Sequence, residues 1–382
     1  MTLIQTHVPA AVIPDYLGAN LAGVVPALLS NSPERPGWLP RAALGAEQVV
    51  LLVVDGLGWL QLSERLVMLE NLAALEGRPI TTVAPSTTAA ALTSLVVGAP
   101  PSIHGVVGYK VVVAGPGGPE VMNVLRWRTK AGDARSYVDP VSFQSCAPFG
   151  GADVPVVSKA DFVGTGFTVA HQRGARQVGW HQASGMAVDV RHLVESGEKF
   201  VYAYYDGVDR IAHMKGFGEH YDAELVALDR VVGDLLEVLP KSAALVVTAD
   251  HGQVSVGSNL VEVDPASIDG VAFSSGEARF RWFHASDAAP AAAERLSATL
   301  KSRFGHQAWV VTLEEVIAQG WLGGEMSRVS RSRLGDVAMA AFDPVAFVEP
   351  GDSPESRKLV CRHGSLTPAE MFVPLVGSRG RL

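Results

Sequence analysis

Two hydrophobic rhythms alternate along this chain. The runs Gln48–Val54, Phe200–Tyr205 and 245–248 are short, almost wholly apolar or aromatic, and rich in β-branched residues. A run without polar alternation suits a strand covered on both faces, as in a parallel sheet. Between the runs lie longer stretches with helical spacing. Over 219–238, Leu225, Leu228, Val232, Leu235 and Leu236 fall on one face, which predicts an amphipathic helix. Residues 59–76 carry similar spacing, and 80–83 reads as a short strand. Pro85 and the hydroxyls of Ser86, Thr87 and Thr88 open a helix running to about Val97; Gly98 ends it and Pro100-Pro101 prevents its return. The Gly/Pro-rich 114–119 between apolar 110–113 and 121–127 predicts a hairpin. Residues 32–47 and 145–155 read as loops.

Strand and helix therefore alternate, which implies an α/β fold with a mostly parallel central sheet and helices on both faces. Residues 277–320 read as a unit of their own: strand over 278–285, helix over 288–304, strand over 308–312 and a short helix over 313–319. A strand pair over 336–347 leads back. The expected organisation is a catalytic core of 1–260 and 355–382, with 261–354 as a small inserted α+β cap.

At 382 residues and 48% hydrophobic, the chain has ample material for a large core. Its net charge of −8 argues against a nucleic-acid polymer or an anionic membrane as partner, since both call for excess Lys and Arg. It does not argue against a phosphate ester, because bound cations reverse the local field. Two cysteines, Cys146 and Cys361, are too few for a disulfide framework. Cys361 reads as a small buried strand residue, not a thiolate ligand. The N-terminus lacks a basic segment followed by an apolar one, and no apolar run reaches the ~18 residues of a membrane span. The expectation is a cytoplasmic protein without a membrane partner.

The chemistry lies where apolar runs end. Asp55 follows the first run and Asp250-His251 the third. In a parallel sheet those carboxyl ends share one edge, where ligands gather. Asp209 and His213 stand four apart and share a face of a helical turn. His363 follows 358–361, which reads as a short strand. Each group alone has an ordinary explanation as a cap, a surface ion pair or a loop histidine. Together they supply enough Asp and His ligands for two divalent ions, with Zn2+ at ~2.0–2.2 Å the best match and Mn2+ the alternative. Thr87 or Thr88, at a helix start, adds a hydroxyl that a metal ion can activate as a nucleophile. Phosphoryl groups also suit the free N–H groups of a helix N-terminus.

These four fragments, in this order, resemble the alkaline phosphatase superfamily, and most closely its type I phosphodiesterase/nucleotide pyrophosphatase branch. The similarity covers roughly half the chain, about 48–110, 200–253 and 358–375. In that branch the nucleophilic threonine stands three residues after a proline and ten before a glycine; Pro85 and Gly98 assign it to Thr88. The resemblance implies one metal on Asp209, His213 and His363. It implies a second on Asp55, Asp250 and His251, shared with Thr88. It further implies two zinc ions and a covalent Thr88 intermediate that water hydrolyses. Asp206 stands seven residues from His213 and does not fit the family's Asp-x-x-x-His spacing.

One departure from the family is plain. An asparagine usually stands three residues after the nucleophile to hold a phosphate oxygen; here that residue is Ala91. The backbone N–H of Ala89 and the side chain of Asn123 are the candidates for its role. No arginine flanks Thr88, which favours a diester or pyrophosphate over a monoester. The expected substrate is a small phosphate ester or nucleotide-like molecule. Another phosphotransferase of the superfamily (phosphomutase, phosphonate hydrolase, phosphomonoesterase) or an inactive metal-binding module is the alternative. Trp127, Tyr205, Phe280 and Trp282 read as core aromatics before base-stacking ones.

Overall fold

The computed structural model describes residues 8–382 except Asn31, Pro33 and Pro290; the reading of the N-terminus falls largely on 1–7, outside the described residues. A seven-stranded sheet runs in the order Glu76–Thr81, Phe372–Arg379, Ala243–Thr248, Gln48–Val54, Phe200–Tyr205, Pro155–Lys159, Arg176–Trp180. The strands from Ala243–Thr248 to Arg176–Trp180 pair in parallel, whereas Phe372–Arg379 runs antiparallel to both of its neighbours. The fold class is the expected one. The antiparallel strand and the Pro155–Lys159 and Arg176–Trp180 pair were not anticipated.

Buried at every residue, Phe200–Tyr205 and Ala243–Thr248 lie on either side of Gln48–Val54. Their helices form two groups. Glu219–Val238 packs with Met186–Glu195, Gly207–Lys215 and Glu70–Ala73, while Thr88–Val97 packs with Val24–Leu29 and Gly166–Gln172. Registers Val54↔Tyr205 and Val53↔Thr248 carry the three strands to a common edge, with Asp55 and Asp250 just beyond it.

The helix expected over 59–76 is broken into Trp59–Ser63, Leu66–Met68 and Glu70–Ala73. Asp229, on the long Glu219–Val238 helix, accepts the N–H of Leu72 at 2.7 Å and of Asn71 at 3.2 Å. A tertiary carboxylate thus satisfies the free N–H groups of a new helix start, which overrides the local periodicity. The 336–347 strand pair also separates. Val337–Ala341 joins a four-stranded sheet beside Phe280–Ala285, and Ala346–Val348 pairs with Leu260–Glu262.

That four-stranded sheet (Val271–Glu277, Phe280–Ala285, Val337–Ala341, Ala308–Thr312) is apolar on both faces. Phe280, Trp282, Ala338 and Ala340 face the main core, whereas Phe283, Val337, Met339 and Val310 face a second cluster with Leu296, Leu300 and Phe304. Alternation along each strand sends successive side chains to opposite faces. Trp127, Tyr205, Phe280 and Trp282 are all buried, which fits their reading as core residues. No helix among the described residues is long and apolar enough to cross a membrane.

Trp282→Ala would open a large void where the second sheet meets the main core. The expected cost is about 3–5 kcal/mol, read as a lower calorimetric midpoint, with far-UV circular dichroism of the folded form retained.

Candidate active site

Asp55 and Asp250 leave their strands one register step past the sheet edge, so the fold itself brings two carboxylates together. Asp55, Asp250 and His251 each present a ligand atom within 4.8 Å of one another, and so do Asp209, His251 and His363. His213 joins the second group through Asp209, with its Nε2 3.2 Å from Asp209 Oδ1 and its ring centroid 5.2 Å from that of His363. The His251 and His363 rings stack at 3.7 Å, so His251 stands between the groups. All six side chains expected to hold metal are therefore assembled, together with Thr88, whose Oγ1 is 3.1 Å from His251 Nε2.

The donor set fits a cation. Each histidine turns Nδ1 to a backbone carbonyl: His213 to Cys361 at 2.7 Å, His251 to Gly252 at 3.0 Å and His363 to Ser86 at 3.0 Å. A carbonyl only accepts, so Nδ1 carries the proton and Nε2 is left as the ligand atom. Asp55 Oδ1 and Asp250 Oδ2 are buried and have no hydrogen-bond partner among the described residues. Their other oxygens are held. Tyr204 donates its hydroxyl to Asp55 Oδ2, and Asp250 Oδ1 accepts the N–H groups of Gly56 and His251, each at 3.0 Å. Asp209 Oδ1 accepts Gln253 Nε2 at 2.7 Å. Buried carboxylate oxygens without partners are costly unless a cation sits on them.

The electrostatics agree. Burial pushes the Asp55 carboxyl well above its ordinary range, and the Asp250 and Asp209 charges push it further. Asp209 is also raised, first by burial. Burial lowers His363 well below the usual histidine range, with His251 and His213 adding to the effect. A neutral imidazole is the form that ligates. Gly56 is fixed by the crowding: it has φ 72°, and a Cβ there would meet Gln253 and Asp209 atoms at 2.6–2.9 Å.

Thr88 begins the helix Thr88–Val97, with Thr87 as its cap residue and Gly98 closing it at φ 71°. Ala91 N–H bonds the Thr87 carbonyl at 2.9 Å, so Ala91 offers neither a side-chain donor nor a free N–H. The N–H of Ala89 belongs to the first turn, which has no intrahelical acceptor. Asn123 lines the same cavity as Thr88. Its Nδ2 donates to the Tyr109 hydroxyl at 2.6 Å and its Oδ1 accepts the Arg126 N–H at 3.0 Å, so one amide hydrogen remains free.

Sequence reasoning missed several supporting groups. Ser86 bonds the His363 loop through backbone and side chain, accepting Gly364 N–H at 3.2 Å and donating to the Ser365 carbonyl at 2.7 Å. The hydroxyl-rich turn was a signal for it. Tyr204, one residue from the strand end, was another visible signal. Glu277 was invisible, because a hairpin far along the chain brings it beside His363 at 3.9 Å. Burial pushes its carboxyl up to about 8. The cations missing around Thr88 in the sequence also arrive from afar: Lys110, Arg126, Arg281 and Arg362 line its cavity. Lys110 and Arg281 are engaged by Asp352 at 3.4 and 3.2 Å.

Two cavities meet at this cluster. Both are lined by Asp55, Thr88, Asp209 and His213. One, of about 520 Å³, is polar and carries Lys110, Asn123, Arg126, Glu277 and Arg362. The other, of about 510 Å³, is walled by Phe162, Phe167, Met214, Leu92 and Leu359.

The architecture is that of the alkaline phosphatase superfamily. A family model described as type I phosphodiesterase / nucleotide pyrophosphatase matches residues 49–366, and the chain belongs to that family. It is accordingly an enzyme of the phosphoric ester hydrolase class. Among solved structures, murine ectonucleotide pyrophosphatase / phosphodiesterase 5 superposes with a TM-score of 0.64 at 12% identity, covering 87% of this chain and 88% of that one. An inactive form of the same murine protein, in complex with AMP, gives 0.63 at 12% identity over 87% and 88%. Phosphonoacetate hydrolase from Sinorhizobium meliloti 1021, in complex with phosphonoformate, gives 0.60 at 18% identity over 91% and 92%. No curated protein matches the sequence.

The raised carboxyls predict how stability depends on pH. A group with a raised folded-state pKa stabilises the fold while both states hold the proton, and that stability is lost as pH rises through the folded value. For Glu277 the window runs from its ordinary 4.5 up to about 8. In chelator, the melting temperature should fall between pH 5 and 8, Glu277→Gln should flatten the slope, and a divalent cation should restore more stability at pH 8 than at pH 5. Differential scanning fluorimetry across that range measures all three.

Proposed function

We propose that the protein hydrolyses phosphodiester or pyrophosphate bonds with two divalent cations, most fittingly Zn2+, through a covalent intermediate on Thr88. The observation that carries this reading is the position of Thr88 where a polar and an apolar cavity meet. A phosphorus atom in front of its hydroxyl has room for a substituent on each side, which a diester fills and a monoester does not.

In this reading Asp55, Asp250 and His251 hold one cation, and Asp209, His213 and His363 the other. The cations supply Lewis acidity and lower the pKa of the Thr88 hydroxyl. Tyr204 and the N–H groups of Gly56 and His251 fix the carboxylates, so the site is organised before substrate arrives. Thr88 Oγ1 attacks phosphorus as the P–O bond to the alcohol or phosphate arm breaks, and the threonine proton ends, through solvent, on the departing oxygen; water later attacks phosphorus, breaks its bond to Thr88 and returns a proton to the Thr88 hydroxyl. The N–H of Ala89, at the helix start, faces the charge that develops on the phosphoryl oxygens. Asn123 contributes its free amide hydrogen from the polar side, in place of the side chain absent at Ala91.

The apolar cavity suits a planar ring, with Phe162 and Phe167 in its wall, and the polar one a charged or hydroxylated arm. A small nucleotide-like ester has both parts. Lys110 and Arg126 also favour a second reading, a phosphonate hydrolase whose substrate bears another anionic group. A phosphomutase, phosphomonoesterase or inactive metal-binding module has no such observation behind it. The two free cysteines, one of them buried, support a reducing, cytoplasmic setting.

Bis-p-nitrophenyl phosphate should be cleaved at least roughly tenfold better in kcat/KM than p-nitrophenyl phosphate, about 1.4 kcal/mol of discrimination; a monoester preference refutes the diester reading. Thr88→Ala should lower kcat by on the order of 10³-fold or more, with the metal content unchanged by elemental analysis. Dialysis against a chelator should abolish turnover, and Zn2+ or Mn2+ should restore it.

A further inference from the structure

Arg279 sits in the tight turn between Val271–Glu277 and Phe280–Ala285, the hairpin that carries Glu277 into the cavity. It is fully buried, and so is its partner Glu370. All five guanidinium hydrogens are used. Nε and Nη2 reach Glu370 Oε1 and Oε2 at 2.8 and 2.9 Å, and the others reach the carbonyls of Asp343, Val345 and Ala341 at 2.8, 2.8 and 3.2 Å. A planar fork with fixed angles fits such a cage, and lysine would not.

Glu370 in turn touches both histidine loops. Its Oε1 accepts the Ser365 N–H at 3.0 Å, two residues past His363. Its Oε2 accepts the Thr367 hydroxyl at 2.6 Å, and its backbone carbonyl accepts the Gly252 N–H at 2.9 Å, one residue past His251. Ser365 also donates its hydroxyl to the Ala341 carbonyl, an acceptor of the same arginine, at 2.6 Å.

Burying an ion pair is a poor route to stability, because desolvation offsets most of the attraction. What this pair supplies is geometry: every donor is aimed, and the groups it holds belong to the end of Val337–Ala341, to the 342–345 turn that follows it and to the segments just past His251 and His363.

We propose that the Arg279–Glu370 pair is a positioning device that sets the His251 and His363 loops, so that cation affinity depends on the seating of the 271–285 hairpin. Its second half rests on the metal-dependent reading above.

The test compares Glu370→Gln, Arg279→Lys and the apolar double variant Arg279→Leu/Glu370→Met with the wild type. Two readouts are taken. Hydrogen exchange follows the Gly252 and Gly364 amides in chelated protein, neither of which bonds the Glu370 carboxylate. Zn2+ affinity is titrated against a chromophoric chelator. The expected result is faster exchange at both amides and at least about tenfold weaker Zn2+ binding in folded variants, with arginine not replaceable by lysine. Folded variants with wild-type exchange and affinity overturn the proposal. If the single variants fail to fold, the double variant decides, since its apolar pair removes the uncompensated charge: wild-type affinity there overturns the proposal, and weakened affinity supports it. Should the wild type bind no divalent cation while the exchange effect persists, the metal reading fails and the positioning of the loops stands.

Discussion

Mutual repulsion among buried carboxylates governs this molecule. The parallel register delivers Asp55 and Asp250 to one point, and the helix after the neighbouring strand adds Asp209. At the spacing of under 4.8 Å seen for Asp55 and Asp250, two like charges repel by about 3–4 kcal/mol even at an effective dielectric of 20. Asp55 and Asp250 are buried, so bulk solvent does little to relieve it. Among the described residues no lysine or arginine forms an ion pair with any of the three; the only basic side chains against them are histidines. The histidines have their Nδ1 atoms occupied and their Nε2 atoms turned inward. The arrangement is one that could hold a cation, and much of the surrounding chain keeps these side chains in place despite their repulsion.

The support comes from distant parts of the sequence. Ser86 ties the turn before Thr88 to the His363 loop, and Glu370 ties the His363 and His251 loops to the 271–285 hairpin. The four-stranded sheet that contains that hairpin is sealed on one side to the main core by Phe280 and Trp282. Thus the hairpin that lines the polar cavity and the helix that begins at Thr88 share one core. The hairpin and the two histidine loops are joined by one hydrogen-bonded unit.

Much of this was legible in the sequence for a physical reason. Strand-end Asp and Asp-His, an Asp-x-x-x-His turn and a hydroxyl-rich helix start are local patterns, and a parallel sheet converts them into a common edge. The central strands and the long helix over 219–238 could be read because their burial leaves an unbroken periodic signal. What could not be read depends on tertiary partners. Asp229 cuts a helix elsewhere by capping it from outside. Lys110 and Arg126 approach Thr88 only after a hairpin folds over, and Glu277 only after a second sheet forms. The strand Phe372–Arg379 carries Pro374 and Gly377, so its place inside the sheet had little local announcement.

That strand has a consequence for biosynthesis. It lies between Glu76–Thr81 and Ala243–Thr248, and Glu76–Thr81 pairs with no other strand of the sheet. Glu76–Thr81 is made long before residue 379, and until then it lacks its sheet neighbour, although Thr81 already meets Asp15, Ala19 and Asn20. The nascent chain must carry an open sheet edge through most of translation, a window in which chaperones or premature pairing with another chain would compete for it.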